Sequence, residues 1–403
     1  MRILHVNMAY SGGGLEQYLL QVFAELENRG HKNLFLYGEG DSDPRCTYRA
    51  DTFFIGSVTH LQCPDLPLKL QHVQQILEGE DPDLIYIHQV LNSALIDLLT
   101  KQKPSVLYMH SFKIVCPDGR KMLQRQWKTC PFALSRLCQT RAYLYRCMPR
   151  NPLVGMPLIR NSKRLGDLHH RRSLIIVASA FMKDVLLYNG FAPDRISVLP
   201  YFTYLPEPEA SGHGSKEPLV LALGRIVPEK GMHYLIKAFS RLRPPSKLTI
   251  VGDGPALPSL KNLAENLGIS SRLLYSGWLS HDKLDALYRR SSMVVVPSVW
   301  PEPFGIVGIE AMAYGKPVIA FDVGGISEWL EDGKTGFIIK LRDEAALAEK
   351  LNLLLQNPNL ALRMGTQARE SVEKRFVPDI HVERLLSIFN KAVIAFHMKN
   401  DNP

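Results

Sequence analysis

Met293-Val-Val-Val-Pro-Ser298 is followed, after two residues, by Pro301-Glu-Pro-Phe-Gly-Ile-Val-Gly-Ile-Glu310. The first run is short, continuous and rich in valine, which predicts a strand buried on both faces. The second run leads into a helix predicted over residues 306–314, which a glycine and a proline end. A buried strand, a loop and a helix in this order form one unit of an open parallel α/β sheet.

The same stretch places two carboxylates close to the end of the strand. Glu302 would lie in the loop and Glu310 in the first turns of the helix, with seven residues between them. The backbone N–H groups between them have no intrahelical partner and can bind an anion by donating hydrogen bonds to it. Carboxylates that bind sugar hydroxyls beside a phosphate site would suit a nucleotide sugar. Two surface glutamates near a turn would give the same spacing.

The rest of the chain repeats the strand and helix alternation twice, which predicts two doubly wound Rossmann-like domains of α/β class. Strands are predicted at residues 3–8, 33–37, 83–88, 106–110, 174–179, 196–199, 219–223, 248–251, 273–275, 294–297, 318–321 and 337–339. Helices are predicted at residues 15–29, 68–78, 93–101, 232–242, 256–267, 281–290, 306–314 and 344–355.

A proline-rich stretch at 200–218 has the composition of a linker. We therefore expect one domain over residues 1–200 and a second over 201–377. A last helix is predicted at 378–399, beyond the second sheet. Two open parallel sheets place their ligand crevices at the carboxyl ends of their strands.

The chain of 403 residues carries a net charge of +9, which is unevenly distributed. Residues 101–172 hold 16 basic and 2 acidic side chains, a net of +14. This concentration indicates an anionic partner such as a membrane surface, a phosphorylated acceptor or nucleic acid. A solvated basic face without a partner is the simpler alternative.

Neither a membrane-spanning run nor a signal peptide is evident. The first residues have the pattern of a strand, without a long apolar region or a cleavage site. We therefore expect a cytoplasmic protein, with peripheral contact between residues 101–172 and the inner face of an anionic membrane.

Four of the six cysteines fall within a short segment, at Cys116, Cys130, Cys138 and Cys147. A zinc ion takes four thiolate or imidazole ligands, and this segment contains enough of them. The gaps of 13, 7 and 8 residues lack a Cys-x-x-Cys pair and favour ordinary reduced cysteines. The expectation is therefore no metal, with a structural site on these four residues as the alternative.

Several loops that follow predicted strands carry residue types suited to phosphate. Gly12-Gly-Gly14 follows the first strand and would let backbone N–H groups approach an anion. Arg225 and Lys230 lie five residues apart in one loop before a helix, so both cations can face one diphosphate. Gly252 lies in a similar turn, Val251-Gly-Asp-Gly254.

Two histidines end strands of the first half. His110 follows Tyr108-Met109, and His88 ends the run before it. Catalytic groups of open sheets collect at this edge, although a lone histidine is more often structural.

Taken together, these residues resemble the retaining family 4 glycosyltransferases of GT-B fold. The resemblance rests on the glycine loop, His110, Gly224-Arg-x-x-x-x-Lys-Gly231, Val251-Gly-Asp-Gly254, Glu302-x7-Glu310 and Gly324-Gly-x-x-Glu328. It covers the chain and is strongest in residues 219–340. The resemblance implies two domains facing each other across a cleft, with the last helix crossing back to the first. The first domain would bind the acceptor and the second a UDP- or GDP-sugar.

The resemblance also implies a role for each site residue. Arg225 and Lys230 would bind the diphosphate, Glu310 the ribose and Glu302 the donor sugar. His110 would lie against that sugar near the reacting carbon. The backbone would contact the sugar and phosphates at Gly13, Gly14, Gly252, Phe304, Gly305, Ile306 and Val307.

For the reaction, the resemblance implies same-face attack by the acceptor hydroxyl without a metal or other cofactor. Cationic groups would stabilise the charge that develops on the leaving diphosphate. Such an enzyme would act in polysaccharide, glycolipid or cell-envelope glycan synthesis. The sequence departs from many relatives at Leu199-Pro-Tyr-Phe-Thr-Tyr204, where those carry Asn-Gly-x-Asp.

Two other functions fit part of the pattern. A sugar-nucleotide epimerase has the same two-sheet build and would activate a water. A nucleic-acid-binding protein would explain the basic stretch and the pI of about 9.1. It would leave the phosphate loops without a role, and we expect no nucleic-acid partner.

Overall fold

The computed structural model describes residues 1–10, 14–40, 48–207, 218–243 and 246–400. Contacts divide the chain into two compact units, Met1–Pro200 with Asp379–Pro403, and Tyr201–Pro378. Each unit has its own parallel sheet. Most of the predicted linker, 208–217, lies outside the described residues, and so does the start of the glycine loop, 11–13.

The first unit is a parallel sheet with one small hairpin beside it. Its described strands are β1 (Arg2–Ala9), β2 (Lys32–Glu39), β3 (Asp51–Phe54), β4 (Leu84–Ile87), β5 (Ser105–Met109), β6 (Met122–Leu123), β7 (Lys128–Thr129), β8 (Ser173–Val177) and β9 (Ile196–Val198). The sheet has the order β3-β2-β1-β4-β5-β8-β9, and β6 and β7 pair antiparallel. Because the order reverses between β1 and β4, the switch point lies between these two strands.

The helices of this unit that precede the second sheet are α1 (Gly14–Asn28), α2 (Leu66–Glu80), α3 (Ser93–Gln102), α4 (Cys138–Tyr145), α5 (Pro152–Arg172) and α6 (Ala180–Tyr188). Local chemistry explains where some of them begin. The side chain of Asn92 caps α3, because it accepts hydrogen bonds from two N–H groups of the first turn. The side chain of Asn151 caps α5 through one such hydrogen bond, and a proline in the first turn of α5 also favours a helix start there.

The second unit is a six-stranded parallel sheet. Its described strands are β10 (Leu219–Leu223), β11 (Lys247–Val251), β12 (Leu273–Gly277), β13 (Met293–Val296), β14 (Val318–Phe321) and β15 (Gly336–Ile339). The order β12-β11-β10-β13-β14-β15 is the doubly wound arrangement. Its helices are α7 (Met232–Ser240), α8 (Leu257–Asn266), α9 (His281–Arg290), α10 (Ile306–Ala313), α11 (Glu344–Gln356) and α12 (Pro358–Arg375).

The central strands are buried as the continuous apolar runs predict. Every residue of β4, β5 and β13 is buried. Strands of this kind require helices on both faces of the sheet. Because neighbouring strands of each sheet pair parallel, the loops at their carboxyl ends lie along one edge of that sheet.

The structure contains elements that the sequence analysis does not place. These are β3, the hairpin of β6 and β7, and the helices α4, α5, α6 and α12. The strand β3 lies at a sheet edge and is mostly exposed, so it lacks the apolar run of a central strand. The helix α5 is rich in basic residues and contains Pro157, which in sequence argues against a helix.

The last helix, α13 (Pro378–Asn400), belongs to the first unit. His381 donates from Nδ1 to the carbonyl oxygen of Pro200 at 2.7 Å, so its Nε2 accepts from the hydroxyl of Tyr18 at 2.9 Å. The ring of Phe389 packs edge-on against Tyr86, with 4.9 Å between ring centroids. Buried polar and aromatic contacts therefore hold this helix on the first sheet.

Within the described ranges, no helix combines the length and the apolar character that a bilayer span requires.

Candidate functional site

Two loops leave the second sheet on either side of its switch point, at 224–231 after β10 and at 297–305 after β13. They are joined through their backbones. The N–H of Val299 donates to the carbonyl of Glu229 at 2.9 Å. At Gly231, a Cβ atom would lie 1.9 Å from a carbonyl oxygen of the other loop, so only glycine fits there. The sheet therefore holds the two loops in one fixed arrangement.

An ion pair connects the same two loops. The ammonium of Lys230 donates to Oε1 of Glu302 at 2.6 Å. The side chain of Glu302 is 5% exposed, whereas that of Lys230 is 23% exposed. The indole ring of Trp300 lies 5.4 Å from the same ammonium. The structure thus brings together two residues that the sequence analysis assigned to one donor site, 72 positions apart.

Gly252 lies where the loop after β11 meets the loop after β10. Its φ is +129°, and a Cβ atom there would lie 2.0 Å from the carbonyl oxygen of Gly224. Arg225, which follows Gly224 in the loop after β10, is exposed. No hydrogen bond or ion pair of its guanidinium to another described residue is present. Gly252 therefore supports the backbone that presents Arg225.

The start of α10 presents unpaired backbone donors. Gly305 precedes the helix with φ at +94°. The carbonyl oxygen of Phe304 accepts from the indole N–H of Trp329 at 2.6 Å, which fixes the turn. Within the described ranges, the N–H groups of Gly305, Ile306 and Val307 donate to no other residue. Together with the helix dipole, such groups form an anion site.

Glu310 lies one turn further along α10 and is only partly buried. Its Oε2 accepts from the hydroxyl of Tyr288 at 3.0 Å. Burial, and then the charge of Glu310, holds the pKa of Tyr288 well above its ordinary value, so the phenol keeps its proton. Tyr314 stacks on Tyr288 at 4.7 Å and donates to Asp285 at 2.8 Å. The two tyrosines therefore fix the orientation of Glu310.

In the first unit, His110 follows β5 and His88 follows β4. Nδ1 of His88 lies 3.0 Å from Nε2 of His110. The ring of Tyr108 packs edge-on against His110, with the centroids 4.5 Å apart. Burial lowers the pKa of His110 to about 3 and that of His88 well below its ordinary value. Both imidazoles are therefore neutral near pH 7.

The shared hydrogen bond between the histidines assigns their protons. Nε2 of His88 is buried without a partner among the described residues. A buried N–H without an acceptor is less favourable than a buried lone pair without a donor. We therefore assign the proton of His88 to Nδ1, which donates to Nε2 of His110. His110 then carries its own proton on Nδ1.

The remaining predicted positions are less informative. Gly13 lies outside the described residues, and Gly14 is the first residue of α1.

The four cysteines of the segment 116–147 lie together. One small cavity of the first unit is lined by Cys116, Cys130, Cys138 and Cys147. In the part of the chain that the structure describes, no three histidine, cysteine or acidic side chains are already arranged as a metal site.

The sequence analysis missed Tyr288 and Trp329, which support Glu310 and Phe304. Neither has a motif of its own, because an aromatic residue in a helical or apolar pattern is usually part of the core. Trp329 does follow directly after Gly324-Gly-x-x-Glu328, which was the available signal.

The buried histidines of the first unit predict a loss of stability in acid. Burial strongly lowers the pKa of five buried histidines in the described part of this unit: to about 3 for four of them, and well below its ordinary value for His88. The four are His5, His110, His169 and His381. The unfolded chain takes up these protons near pH 6.5, whereas the folded chain does not. The stabilisation is therefore complete above about pH 6.5 and is lost as the pH falls towards 3.

We expect the free energy of unfolding to fall by roughly 1.4 kcal/mol per pH unit for each fully titrating histidine. Urea unfolding at several pH values between 7.5 and 5 measures the slope. His169→Asn should reduce it by about a fifth. A free energy of unfolding that stays constant or rises as the pH is lowered from 7.5 to 5 would show that these imidazoles are protonated in the folded chain.

Comparison with known proteins matches both halves of the chain to glycosyltransferase families. Residues 12–202 match the family described as Glycosyltransferase Family 4, and residues 206–371 match Glycosyl transferases group 1. The chain belongs to the family 4 glycosyltransferases. The predicted family is thereby confirmed. These matches support neither the epimerase nor the nucleic-acid-binding alternative.

Among solved structures, this family 4 member is similar over 98% of its length to sucrose-phosphate synthase from Thermosynechococcus elongatus. The TM-score is 0.76 at 22% identity, and the match covers 99% of that chain. A second similar structure is Anabaena HepE in complex with UDP and glucose, with a TM-score of 0.71 at 19% identity over 99% of this chain and 100% of that one. These likenesses confirm the GT-B fold.

Among curated proteins, this family 4 member is 36% identical over 154 residues to alpha-D-kanosaminyltransferase of Streptomyces kanamyceticus. That match covers 38% of this chain and 40% of the relative. The first three curated relatives match over 40%, 55% and 63% of their own lengths. They therefore establish kinship without fixing a substrate.

Proposed function

We propose that the chain is a retaining glycosyltransferase that moves a sugar from a nucleotide-diphospho-sugar to an acceptor hydroxyl in glycan, glycolipid or cell-envelope synthesis. The second unit binds the donor and the first binds the acceptor. The observation that carries this proposal is the pairing of Lys230 with buried Glu302 at the switch point of the second sheet. Beside this pair lie the unpaired N–H groups at the start of α10.

The pair suits a donor because each member has binding capacity left. An ammonium has three N–H donors, and Glu302 takes one of them from Lys230. The others can reach a phosphate oxygen. The second carboxylate oxygen of Glu302 can accept from a sugar hydroxyl. Arg225 adds a second cation, and a guanidinium binds phosphate through two parallel hydrogen bonds.

Glu310 suits the ribose of the donor. Its Oε2 is held by Tyr288, which leaves further acceptor capacity on the carboxylate for a pair of neighbouring hydroxyls. In the similar HepE structure, UDP and glucose are bound on the same fold. That complex supports a nucleotide donor for this chain as well, with either uridine or guanosine as the base.

The same groups explain catalysis. As the bond between the sugar and the diphosphate breaks, negative charge develops on the leaving phosphate. Arg225, Lys230 and the N–H groups before α10 stabilise that charge without reorganising, so the proposed reaction requires no metal. The departing phosphate takes the proton of the acceptor hydroxyl as the new glycosidic bond forms on the same face.

The state of His110 favours retention over inversion. An inverting enzyme needs a base near the acceptor hydroxyl, and a useful base has a pKa near the working pH. The pKa of His110 is lowered to about 3, and its Nε2 lone pair already accepts from His88. A neutral His110 agrees with the role that the family resemblance implies, in which the ring lies against the donor sugar near the reacting carbon.

A binding screen tests the donor assignment. Nucleoside diphosphates and their sugars are titrated into the full chain by calorimetry, with Arg225→Ala beside the wild type. We expect one nucleoside diphosphate to bind the wild type and to bind the variant at least about tenfold more weakly, since a charge-assisted contact contributes a kilocalorie per mole or more. Failure of all of them to bind would overturn the proposal.

We further propose that residues 101–172 attach the protein to the inner face of an anionic membrane. This region combines its net charge of +14 with exposed apolar side chains. Leu137, Tyr143, Leu144 and Val154 are 48–60% exposed, and Leu153 is 85% exposed. An exposed apolar patch beside basic residues is typical of an interfacial membrane site.

Sedimentation with vesicles measures this attachment. We expect binding to vesicles with phosphatidylserine, weakened by salt because each nearby cation contributes roughly 1 kcal/mol. Leu153→Ser should weaken it further, whereas Leu362→Ser, at a 68% exposed leucine of the second unit, should not. Equal binding to neutral and anionic vesicles, or binding to neither, would contradict the prediction.

A further inference from the structure

The four cysteines of the segment 116–147 converge on one place. Cys116, Cys130, Cys138 and Cys147 line a single cavity of about 30 Å³ in the first unit. They come from four separate local structures: the turn after β5, the end of the β6–β7 hairpin, the start of α4 and the residues after α4. Local sequence spacing does not bring them together, so the fold itself assembles this thiol cluster.

The backbone at Cys116 forms a tight turn at the wall of the cavity. The N–H of Gly119 donates to the carbonyl oxygen of Cys116 at 2.9 Å. Gly119 has φ at +82°, a conformation that glycine adopts without strain. The turn therefore holds Cys116 in the cavity lining, together with Lys121.

The cavity is also lined by two cations. Lys121 is 3% exposed, and its ammonium bonds to the carbonyl oxygen of Phe132. The carboxylate of Asp118 also lines the cavity, but its charge is balanced by Arg120, with which it forms an ion pair. Within the described part of the chain, Lys121 makes no ion pair. A buried charge of this kind requires a counter-charge.

Arg141 is the second cation of the cavity lining, and its guanidinium lies 4.0 Å above the ring of Phe132. A zinc ion with four thiolates carries two negative charges. The two negative charges of such a site would balance the positive charges of Lys121 and Arg141. A cluster of four neutral thiols would leave these two positive charges unbalanced.

We propose that Cys116, Cys130, Cys138 and Cys147 bind one structural zinc ion. Four S–H groups release four protons to solvent, four Zn–S bonds form, and nothing is oxidised or reduced. The side chains line the cavity without being preassembled at ligand spacing. Rotation between χ1 rotamers moves each sulfur atom without moving the backbone. Tetrahedral sulfur coordination is the geometry that zinc prefers.

The zinc ion would stabilise a segment that has little apolar core of its own. The buried cluster around α4 consists of Ala142, Met148 and Ile159, and only the first of these belongs to the segment. The segment is tied to the chain just after His110, because the N–H of Phe112 donates to the carbonyl of Gly119 at 3.0 Å. The site would therefore hold in place the loop that follows the proposed catalytic edge of the first unit.

Metal analysis of the full chain tests the proposal. The protein is produced in zinc-supplemented medium, purified without a metal-binding tag, and analysed for metals and acid-labile sulfide. We expect about one zinc ion per chain and no sulfide. Cys138→Ser should reduce the zinc content to background. Cys63→Ser should not, because Cys63 lies outside the cluster and hydrogen-bonds to the carbonyl of Pro64.

A second measurement on the wild type does not depend on whether the variants fold. Thiol titration should find four more reactive cysteines after chelation than before, and cobalt(II) should give the visible absorption of tetrahedral sulfur coordination. Wild-type protein without metal, with the same number of reactive thiols before and after chelation, would overturn the proposal. Iron with sulfide would show an iron–sulfur cluster instead, and disulfides among the four cysteines would show a redox pair.

Discussion

Replacement of Lys230 or Glu302 by alanine should reduce sugar transfer by about 10²–10³-fold while the chain stays folded, since removing one preorganised electrostatic contact has this effect. The two side chains form one unit, with 2.6 Å between Nζ and Oε1. Lys230→Ala removes a cation from the leaving phosphate and also leaves the buried carboxylate of Glu302 without its partner. The two losses should therefore be far from additive in the double variant.

Initial rates of nucleoside diphosphate release with a transferable donor measure this effect. The matched control is Lys237→Ala, which removes a 3.1 Å ion pair with Glu344 from the same unit. That pair is partly exposed, so its loss should change neither the rate nor the stability by much. Turnover close to wild type in Lys230→Ala or Glu302→Ala would refute the site assignment. A similar loss in the control would show a general effect on folding.

Gly252→Ala should be nearly as damaging, although it removes no charged group. Its Cβ would lie 2.0 Å from the carbonyl oxygen of Gly224, and φ at +129° is unfavourable for any other residue. The backbone between Gly224 and Arg225 must then move. We expect donor binding to fall at least about tenfold, because positioning errors of about 1 Å can reduce activity by about 10². Unfolding should be easier by roughly 1–3 kcal/mol.

Gly268→Ala is the control that separates the two causes. Gly268 also has a positive φ, +67°, but nothing lies within 4 Å of a Cβ placed there. It should lose roughly 1–2 kcal/mol of stability from backbone strain alone and keep its affinity for the donor. If both variants bound the donor as well as the wild type does, Gly252 would have no part in presenting Arg225.

The stretch around β13 shows how far the sequence alone leads. Its valine run predicts a buried strand, and the structure has β13 at Met293–Val296 with every residue buried. The start of α10 at Ile306 is as predicted, because the apolar run of the helix begins at that residue. Alternation of such runs was enough to predict two doubly wound sheets.

What the sequence could not show depends on contacts between distant residues. Lys230 and Glu302 are 72 positions apart, and only the switch point between β10 and β13 brings them together. The hydrogen bond of His88 to His110 likewise depends on the pairing of β4 with β5. The loose cysteine spacing favoured ordinary thiols, because no local pattern revealed that α4 and the β6–β7 hairpin enclose one cavity.

The anomeric configuration of the product tests the central claim most directly. Once the screen identifies a donor, proton NMR of the transfer product gives the coupling and the shift of its anomeric proton. We predict an α-linked product from an α-linked sugar nucleotide, because the leaving phosphate takes the acceptor proton and His110, with its pKa near 3, is not a base. A β-linked product would contradict the account and show that His110 or another group of the first unit deprotonates the acceptor.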